Sequence, residues 1–494
     1  MIISPTKKDL STILNLLGRL ILGLSFFMLV PLLVAVVMSE NSPFFDFLIG
    51  TTLSGALGFI LLILFPIKKE ISWVHTFFTV SLGWLSFSLL GAIPLFLSGH
   101  FGSFLDAWFE AMSGFATTGL ILVQDLDHMS FSHNTWRHLT MFIGGQGIIL
   151  ASLSILAQAR SVAIGFYIGE GRQEKILPNV IGTARFIWKV SFIYLVLGVA
   201  AYFLILNRIG LSSVKSIFQA FWLFFAAFDT GGFTPYKQSI AYYHSFYLEV
   251  ATIIFMILGA FNFNLHFWLW HKDKKEIFKN FETRTFIFTF FSLLLLLYLP
   301  FLGANFSGLF RNGFYQLISA HTGCGFTNLE QGVLGGFPLL SLLAVIFAMM
   351  IGGGVCSTTG GIKLMRIGII FKTILIEIKR WIMPAGAVFR EKFHHLNNLL
   401  VTNKRIKEAF IIFILFIITY VAGALVAIGF GYPGIASLFE SVSATANVGL
   451  SMGITDPSMP SALKVVYILQ MWAGRLEFIA IVVMIGSLLS FFKK

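Results

Sequence analysis

The strongest constraint on this chain is a succession of long uncharged apolar runs, at residues 21–37, 47–65, 192–205, 286–299 and 409–428. Each is long enough, or nearly so, to cross a hydrocarbon layer that asks for about 20 residues. Only 11 % of the 494 residues are charged, against about a quarter in a soluble protein. A soluble domain is excluded, and the chain is read as an all-α integral membrane protein. The start, MIISPTKKDLSTILNLLGRL, has two lysines and no small-residue cleavage site after a short apolar core. It therefore reads as a cytoplasmic start and a retained first helix. The two cysteines, Cys324 and Cys356, give no disulfide framework.

The net charge of +12 is unevenly placed. Basic residues gather at Lys7 and Lys8, Lys68 and Lys69, 160–189, 271–284, 363–407, and Lys493 and Lys494, which together hold 26 of the 34 Lys and Arg. Such loops belong on the cytoplasmic side. No cluster has the aromatic interleaving of a nucleic-acid groove, so no nucleic-acid partner is expected and the charge meets the lipid bilayer surface or solvent.

Spans fall near 13–37, 45–66, 72–94, 134–158, 188–207, 241–269, 286–303, 335–352, 409–430 and 463–490. Ten crossings put both termini in the cytoplasm. Four apolar stretches remain, about 103–118, 215–231, 311–324 and 434–448, each too short to cross. Their ends align as SGFATTGL (113–120), AAFDTGGF (226–233), SAHTGCGF (319–326) and SATANVGL (443–450), with glycine in the seventh place. A second glycine register follows 25 to 28 residues later, at Gly145, Gly259, Gly353 and Gly474. Two registers repeated four times indicate an internal fourfold duplication.

The expected architecture is four tandem helix–pore-helix–helix repeats around a pseudo-fourfold pore, preceded by an N-terminal transmembrane helix pair. Its units are 1–70 (the pair), 71–160, 161–275, 276–380 (with a gating loop at 350–361) and 381–494. Irregular backbone at membrane depth must be buried in protein or line a watery cavity. Four such loops about one axis would line a shared hole. Carbonyls at the short helices' C-termini would then favour a cation, and loop carbonyls would replace its hydration shell. The candidate ion-lining residues are Thr117, Thr118 and Gly119; Thr230, Gly231 and Gly232; Thr322, Gly323, Cys324 and Gly325; and Ala446, Asn447, Val448 and Gly449. The threonine hydroxyls either touch the ion or brace the loops. Asp229 is a cation ligand or a partner for backbone donors, and Glu110 and Glu440 read as structural hydrogen-bonding groups or vestibule charges. Arg137 reads as an interfacial anchor and His266 as a satisfied polar residue. No His or Cys set has transition-metal spacing, and no organic cofactor is expected.

The segment MMIGGGVCSTTGGIK (349–363) interrupts a span with five glycines, a density at which a helix runs poorly. Gly352, Gly353, Gly354, Ser357, Thr358, Thr359, Gly360 and Gly361 form a candidate gate: a flexible loop that blocks and withdraws. The other reading is a broken helix packed on a neighbour. In AGRLEF (473–478), Arg475 is costly inside a span unless it meets protein or water. It is expected in the cavity, where it could hold the loop, or in an ion pair with Glu249 or another helix.

At these residues the chain resembles the TrkH/TrkG/KtrB superfamily of potassium transporters. The resemblance covers roughly residues 10–490 and rests on the four glycine stretches, STTGGIK and WAGRLE; the N-terminal pair places it nearer the TrkH branch. It implies that Gly119, Gly232, Gly325 and Gly449 are selectivity-filter glycines, that 352–361 is an intramembrane gating loop, and that Arg475 is the pore-cavity arginine. It also implies K+ as the permeating ion, a plasma (inner) membrane location, a homodimer, and a cytoplasmic nucleotide-binding regulatory ring of the TrkA or KtrA type docked on the basic inner face. The third stretch, HTGCG, the fourth, ANVG, and Asp229 in the second depart from the pattern, and Cys324 suggests sensitivity to thiol reagents. Alternatives are a Na+-permeable or Na+/H+-coupled transporter of the same architecture, a membrane-embedded enzyme acting on a lipid-linked substrate, and a non-transporting assembly subunit. The scattered acids give the enzyme reading no catalytic cluster, and an assembly subunit would not need four intact glycine stretches.

Overall fold

The computed structural model describes residues 6–146, 180–271, 274–301, 306–330, 332–384 and 391–492. Basic residues 160–179 and Lys493 and Lys494 lie outside the described residues, as does 147–158 of the expected fourth span. The chain begins with two long helices, α1 (Lys7–Val37) and α2 (Asn41–Leu64). They cross at Gly18 and Gly58, where a Cβ on either would stand 2.9 Å from the other's carbonyl oxygen. Small residues let membrane helices approach this closely.

The remaining long and short helices follow in four sets. The first set is α3 (Trp73–Leu97), α4 (Phe104–Phe115) and α5 (Phe131–Gln146). The second is α6 (Val180–Arg208), α7 (Ser213–Phe228) and the pair α8 (Phe246–Ala260) and α9 (Phe263–His271). The third is α10 (Phe281–Tyr298), α11 (Phe306–His321), α12 (Leu339–Met350) and α13 (Leu364–Ile382). After a hairpin of β1 (Lys392–His395) and β2 (Asn397–Leu400), the fourth is α14 (Asn403–Gly429), α15 (Gly434–Thr445), α16 (Ser461–Arg475) and α17 (Ile479–Phe492).

Among the described residues, six helices are long and apolar enough to cross a membrane, and up to eight spans result if each of two bent pairs counts as one. The spans expected at 241–269 and 463–490 are the bent pairs. α8 turns 101° into α9, and α16 turns 108° into α17. At the second break Glu477 and Phe478 take left-handed backbone, φ 48° and 65°, which an apolar sequence does not announce. The span expected at 335–352 is the 12-residue α12, after which the chain leaves the helix entirely.

The short helices share one ending. In each, the amide of the sixth residue of the aligned stretch donates to the carbonyl of the first: Thr118 to Ser113 (2.8 Å), Gly231 to Ala226 (2.8 Å), Cys324 to Ser319 (3.0 Å) and Val448 to Ser443 (2.9 Å). This six-to-one closure demands a left-handed residue just before it. That residue is Thr117, Thr230, Gly323 or Asn447, at φ 54°, 50°, 68° and 56°. Packing then runs in a cycle. α5 lies on α7, α8 on α11, α12 on α15, and α16 returns to α4.

Candidate functional site

The four seventh-place glycines close a ring, all left-handed at φ 75° to 95°. A Cβ on Gly119 would lie 2.4 Å from the Gly231 carbonyl oxygen, and one on Gly232 would lie 2.1 Å from that of Cys324. A Cβ on Gly325 would lie 1.9 Å from the Val448 oxygen, and one on Gly449 would lie 2.1 Å from that of Thr118. No side chain fits between each turn and the next turn's carbonyl, so the ring closes only with glycine at all four places. On one side these glycines floor a cavity of about 420 Å³, whose walls include Lys237, Glu330 and Asp456. A separate space of about 20 Å³ lies between Trp84, Ser357, Thr359, Gly360, Lys363 and Arg475, and Arg475 reaches from it to Thr117 of the first turn.

The threonine hydroxyls brace the turns. Thr118 accepts from Asn447 Nδ2 at 2.9 Å, and the same amide reaches the Met471 carbonyl at 3.0 Å. Thr230 donates to the Asp229 carbonyl at 2.8 Å and Thr322 to Ile318 at 2.7 Å. Thr117 accepts from Arg475 at 3.1 Å. Behind the turns, Glu110 accepts from the Leu122 amide at 2.7 Å and Glu440 from the Met452 and Ile454 amides at 3.0 and 3.1 Å. Gln316, at the matching place in the third stretch, donates to Thr327 at 2.8 Å. These side chains tie three of the four short helices to the backbone leaving their turns, so of the two roles expected of the glutamates they take the structural one.

Other expectations are corrected. Arg137 is no interfacial anchor: it is fully buried, 2.6 Å from Glu110 and 4.3 Å over the Phe233 ring. Asp229 faces back to α5, where its Oδ1 accepts from Gln146 at 2.7 Å. Cys324 is buried with its thiol donating to the Ala226 carbonyl at 3.4 Å, so an aqueous thiol reagent has no approach to it. Both glycines of α5 are close approaches: a Cβ on Gly145 would meet the Asp229 side chain at 2.4 Å, but it is Gly144 whose Cβ would stand 1.9 Å from the Phe115 carbonyl oxygen. Gly259 and Gly474 repeat that contact at Phe228 and Thr445. Gly353 does not, because it lies beyond the end of α12, against the Ala260 carbonyl. His266 is satisfied as expected, by Tyr194 at 3.1 Å and Leu258 at 3.0 Å.

The glycine-rich loop is pinned. Its ends are bridged by Gly352 N–H to Ile362 (2.9 Å) and Ile362 N–H to Met350 (3.0 Å). Gly354 and Thr358 donate their amides to Ala260 (2.9 Å) and Gly259 (3.2 Å) at the end of α8. The Thr358 hydroxyl also reaches the Phe228 carbonyl at 3.0 Å, and Ser357 and Thr359 meet at 2.9 Å. Gly360 and Gly361 bring the loop against the Ala446 carbonyl and Gly352 respectively. Arg475, the last residue of α16, donates to the Thr358 carbonyl at 2.8 Å and to Gly144, so one guanidinium joins the first turn, the loop and α5. It does not pair with Glu249, which holds Arg311 at 2.6 Å. Sequence reasoning missed Glu282, which accepts from the Val355 amide at 2.6 Å, and the buried pair Arg366–Glu477 at 2.5 Å. It also missed Lys363, whose ammonium caps the Thr359 carbonyl. Charges at the edges of apolar segments were their only signal.

Fold and site together define a multi-pass transporter of the plasma membrane. Residues 45–490 match the TrkH family, described as cation transport proteins, and the chain belongs to that family. It is 35 % identical to an uncharacterized cation transporter of Methanocaldococcus jannaschii, over 98 % of this chain and 97 % of that protein. It is 28 % identical to the Trk system potassium uptake protein TrkH of Escherichia coli, over 96 % and 97 %. The crystal structure of the potassium transporter TrkH from Vibrio parahaemolyticus superposes with a TM-score of 0.82 at 24 % identity, covering 96 % of this chain and 98 % of that one. That likeness gives the same all-α multi-span fold.

Proposed function

We propose that the protein conducts K+ into the cell through a gated pore at the axis of the glycine ring, with four tandem pore repeats at 71–160, 161–275, 276–380 and 381–494. The observation that carries the reading is the closed ring of Gly119, Gly232, Gly325 and Gly449, each against the carbonyl of the next turn. Stacked carbonyls replace the hydration shell of a monovalent cation, and four short helices end their C-terminal dipoles at the same place. The filter comprises Thr117–Gly119, 230–232, 322–325 and 446–449. The loop at 350–361 is the gate, with Arg475 holding it under the filter. The chain works as a homodimer that binds a cytoplasmic nucleotide-binding ring of the TrkA or KtrA type through its basic inner face.

Rubidium flux into proteoliposomes, with Na+ and Li+ as competitors, tests the reading. Potassium selectivity requires Rb+ uptake to outrun Na+ uptake, and equal rates would favour a sodium-permeable transporter of the same architecture. Gly119→Ser places an atom where the Gly231 carbonyl stands 2.4 Å away. It should displace that oxygen and reduce Rb+ over Na+ preference by roughly tenfold, the ratio given by about 1.4 kcal/mol. Unchanged preference would remove Gly119 from the filter.

A further inference from the structure

A second cavity, of about 700 Å³, opens between α10, α13 and the β hairpin, away from the ion path. Its floor is apolar, with the Phe288 and Phe371 rings 6.2 Å apart and Leu375 beside them, all three exposed. Among the described residues, its rim carries Lys279, Arg284, Lys372, Lys379 and Lys392 and one carboxylate, Glu391. Lys379 and Lys372 reach that carboxylate at 2.9 and 3.0 Å and hold it below the usual carboxylate range. Glu391 is shared by Lys372 and Lys379, and Arg284 and Lys392 beside them keep the described rim positive. The wall helix α13 exposes Phe371, Ile374, Leu375, Ile378, Trp381 and Ile382 at helical spacing and ends in Lys379 and Arg380. An apolar stripe finished by basic residues lies at a membrane–water boundary.

We infer that this groove seats one anionic glycerophospholipid of the inner leaflet, its phosphate among Arg284, Lys372, Lys379 and Lys392 and an acyl chain along Phe288, Phe371 and Leu375. Basic pockets between membrane helices on the cytoplasmic side select such headgroups. A second copy of this chain, paired patch to patch about a twofold axis, would set like charges against each other. A free soluble anion would leave the apolar floor bare. The lipid also leans on the gate: α13 follows the glycine-rich loop directly, and Arg366 near its start pairs with Glu477 at the break after α16. The effect on flux, though not the binding, rests on the proposed function.

The test uses the full-length protein in nanodiscs of phosphatidylcholine doped with phosphatidylglycerol, with retained lipid counted by native mass spectrometry. One phosphatidylglycerol per protomer should be retained over phosphatidylcholine. Arg284→Gln/Lys372→Gln/Lys379→Gln/Lys392→Gln should weaken retention about tenfold or more, while Lys404→Gln/Lys407→Gln, on the exposed start of α14, should leave it unchanged. If the fourfold variant is not recovered folded, Lys392→Glu on the hairpin carries the same comparison. Equal retention by wild type and variant overturns the site, as does displacement of the lipid by inorganic phosphate alone. So does crosslinking of the groove to a second copy with no lipid retained. Rubidium uptake should rise with phosphatidylglycerol in the wild type and lose that dependence in the variant. Retention without ion flux under any condition would overturn the pore reading and leave the lipid site standing.

Discussion

At the scale of single residues, the ion-path assignment depends on where a methyl group cannot go. Gly474 is the tightest case, since a Cβ there would stand 1.7 Å from the Thr445 carbonyl oxygen, backbone that cannot swing aside. Gly474→Ala should therefore force α16 off α15, at a cost on the order of 1–3 kcal/mol. Gly486→Ala makes the control, because nothing lies within 4 Å of its added Cβ and α17 gains a better helix former. Thermal unfolding in detergent should separate the two, with a lower midpoint for the first and no loss for the second. Equal midpoints would mean that the helices re-space at no cost. The left-handed threonines carry the opposite lesson. Thr117 and Thr230 are β-branched at positive φ, an uncommon and costly place for such residues, held by the six-to-one closure around them. Sequence reading placed weight on the seventh-position glycines and had no means of seeing that the fifth position bends first.

At the scale of elements, the glycine-rich loop is packed on its neighbours, whichever of its two sequence readings holds. Five glycines between apolar helices suggested flexibility, yet most of the loop is buried, and its glycines sit where carbonyls from Ala260, Ala446 and its own strand approach too closely for a side chain. Close packing and conformational freedom leave the same signature in sequence, and only the neighbours tell them apart. Arg475 is the clasp. Its hydrogen bond to the Thr358 carbonyl is charge-assisted, a kind worth about 1.5–3 kcal/mol. Arg475→Met should free the loop and raise resting rubidium leak by roughly 10- to 100-fold if the loop is the gate. A fall in flux would instead make the arginine part of the conducting path. Element existence was legible for the six long helices, because their apolar length admits one interpretation. The two bent pairs were not legible, since polar residues such as Asn262 and Glu477 interrupt the runs too briefly to register.

At the scale of the molecule, four similar stretches were legible in the sequence and the closure of their glycines into a ring was not. Nothing in a linear chain says that the fourth stretch returns to the first. That seam is built by residues more than three hundred positions apart: Asn447 donating to Thr118 at 2.9 Å, and Lys464 against Asp106 at 2.5 Å, both side chains of the ion pair over nine-tenths buried. Asp106 sits in the first turn of α4, where the helix dipole favours its charge, and Lys464 also donates to the Pro457 carbonyl. The pair therefore fixes the outer end of the first short helix to the last inner helix. Lys464→Met leaves a buried carboxylate uncompensated and should cost about 3–5 kcal/mol. Lys464→Met/Asp106→Asn should recover about 0.5–3 kcal/mol of that, because the orphaned charge has gone. Unfolding midpoints of the wild type, both single variants and the double variant give the coupling directly. If the seam holds the ring shut, the single variants should also lose Rb+ over Na+ preference before they lose folded protein, since opening it parts Gly449 from the Thr118 carbonyl. Preference intact in a measurably destabilised Lys464→Met protein would show that the ring is held by its glycine contacts and the Asn447 bridge alone.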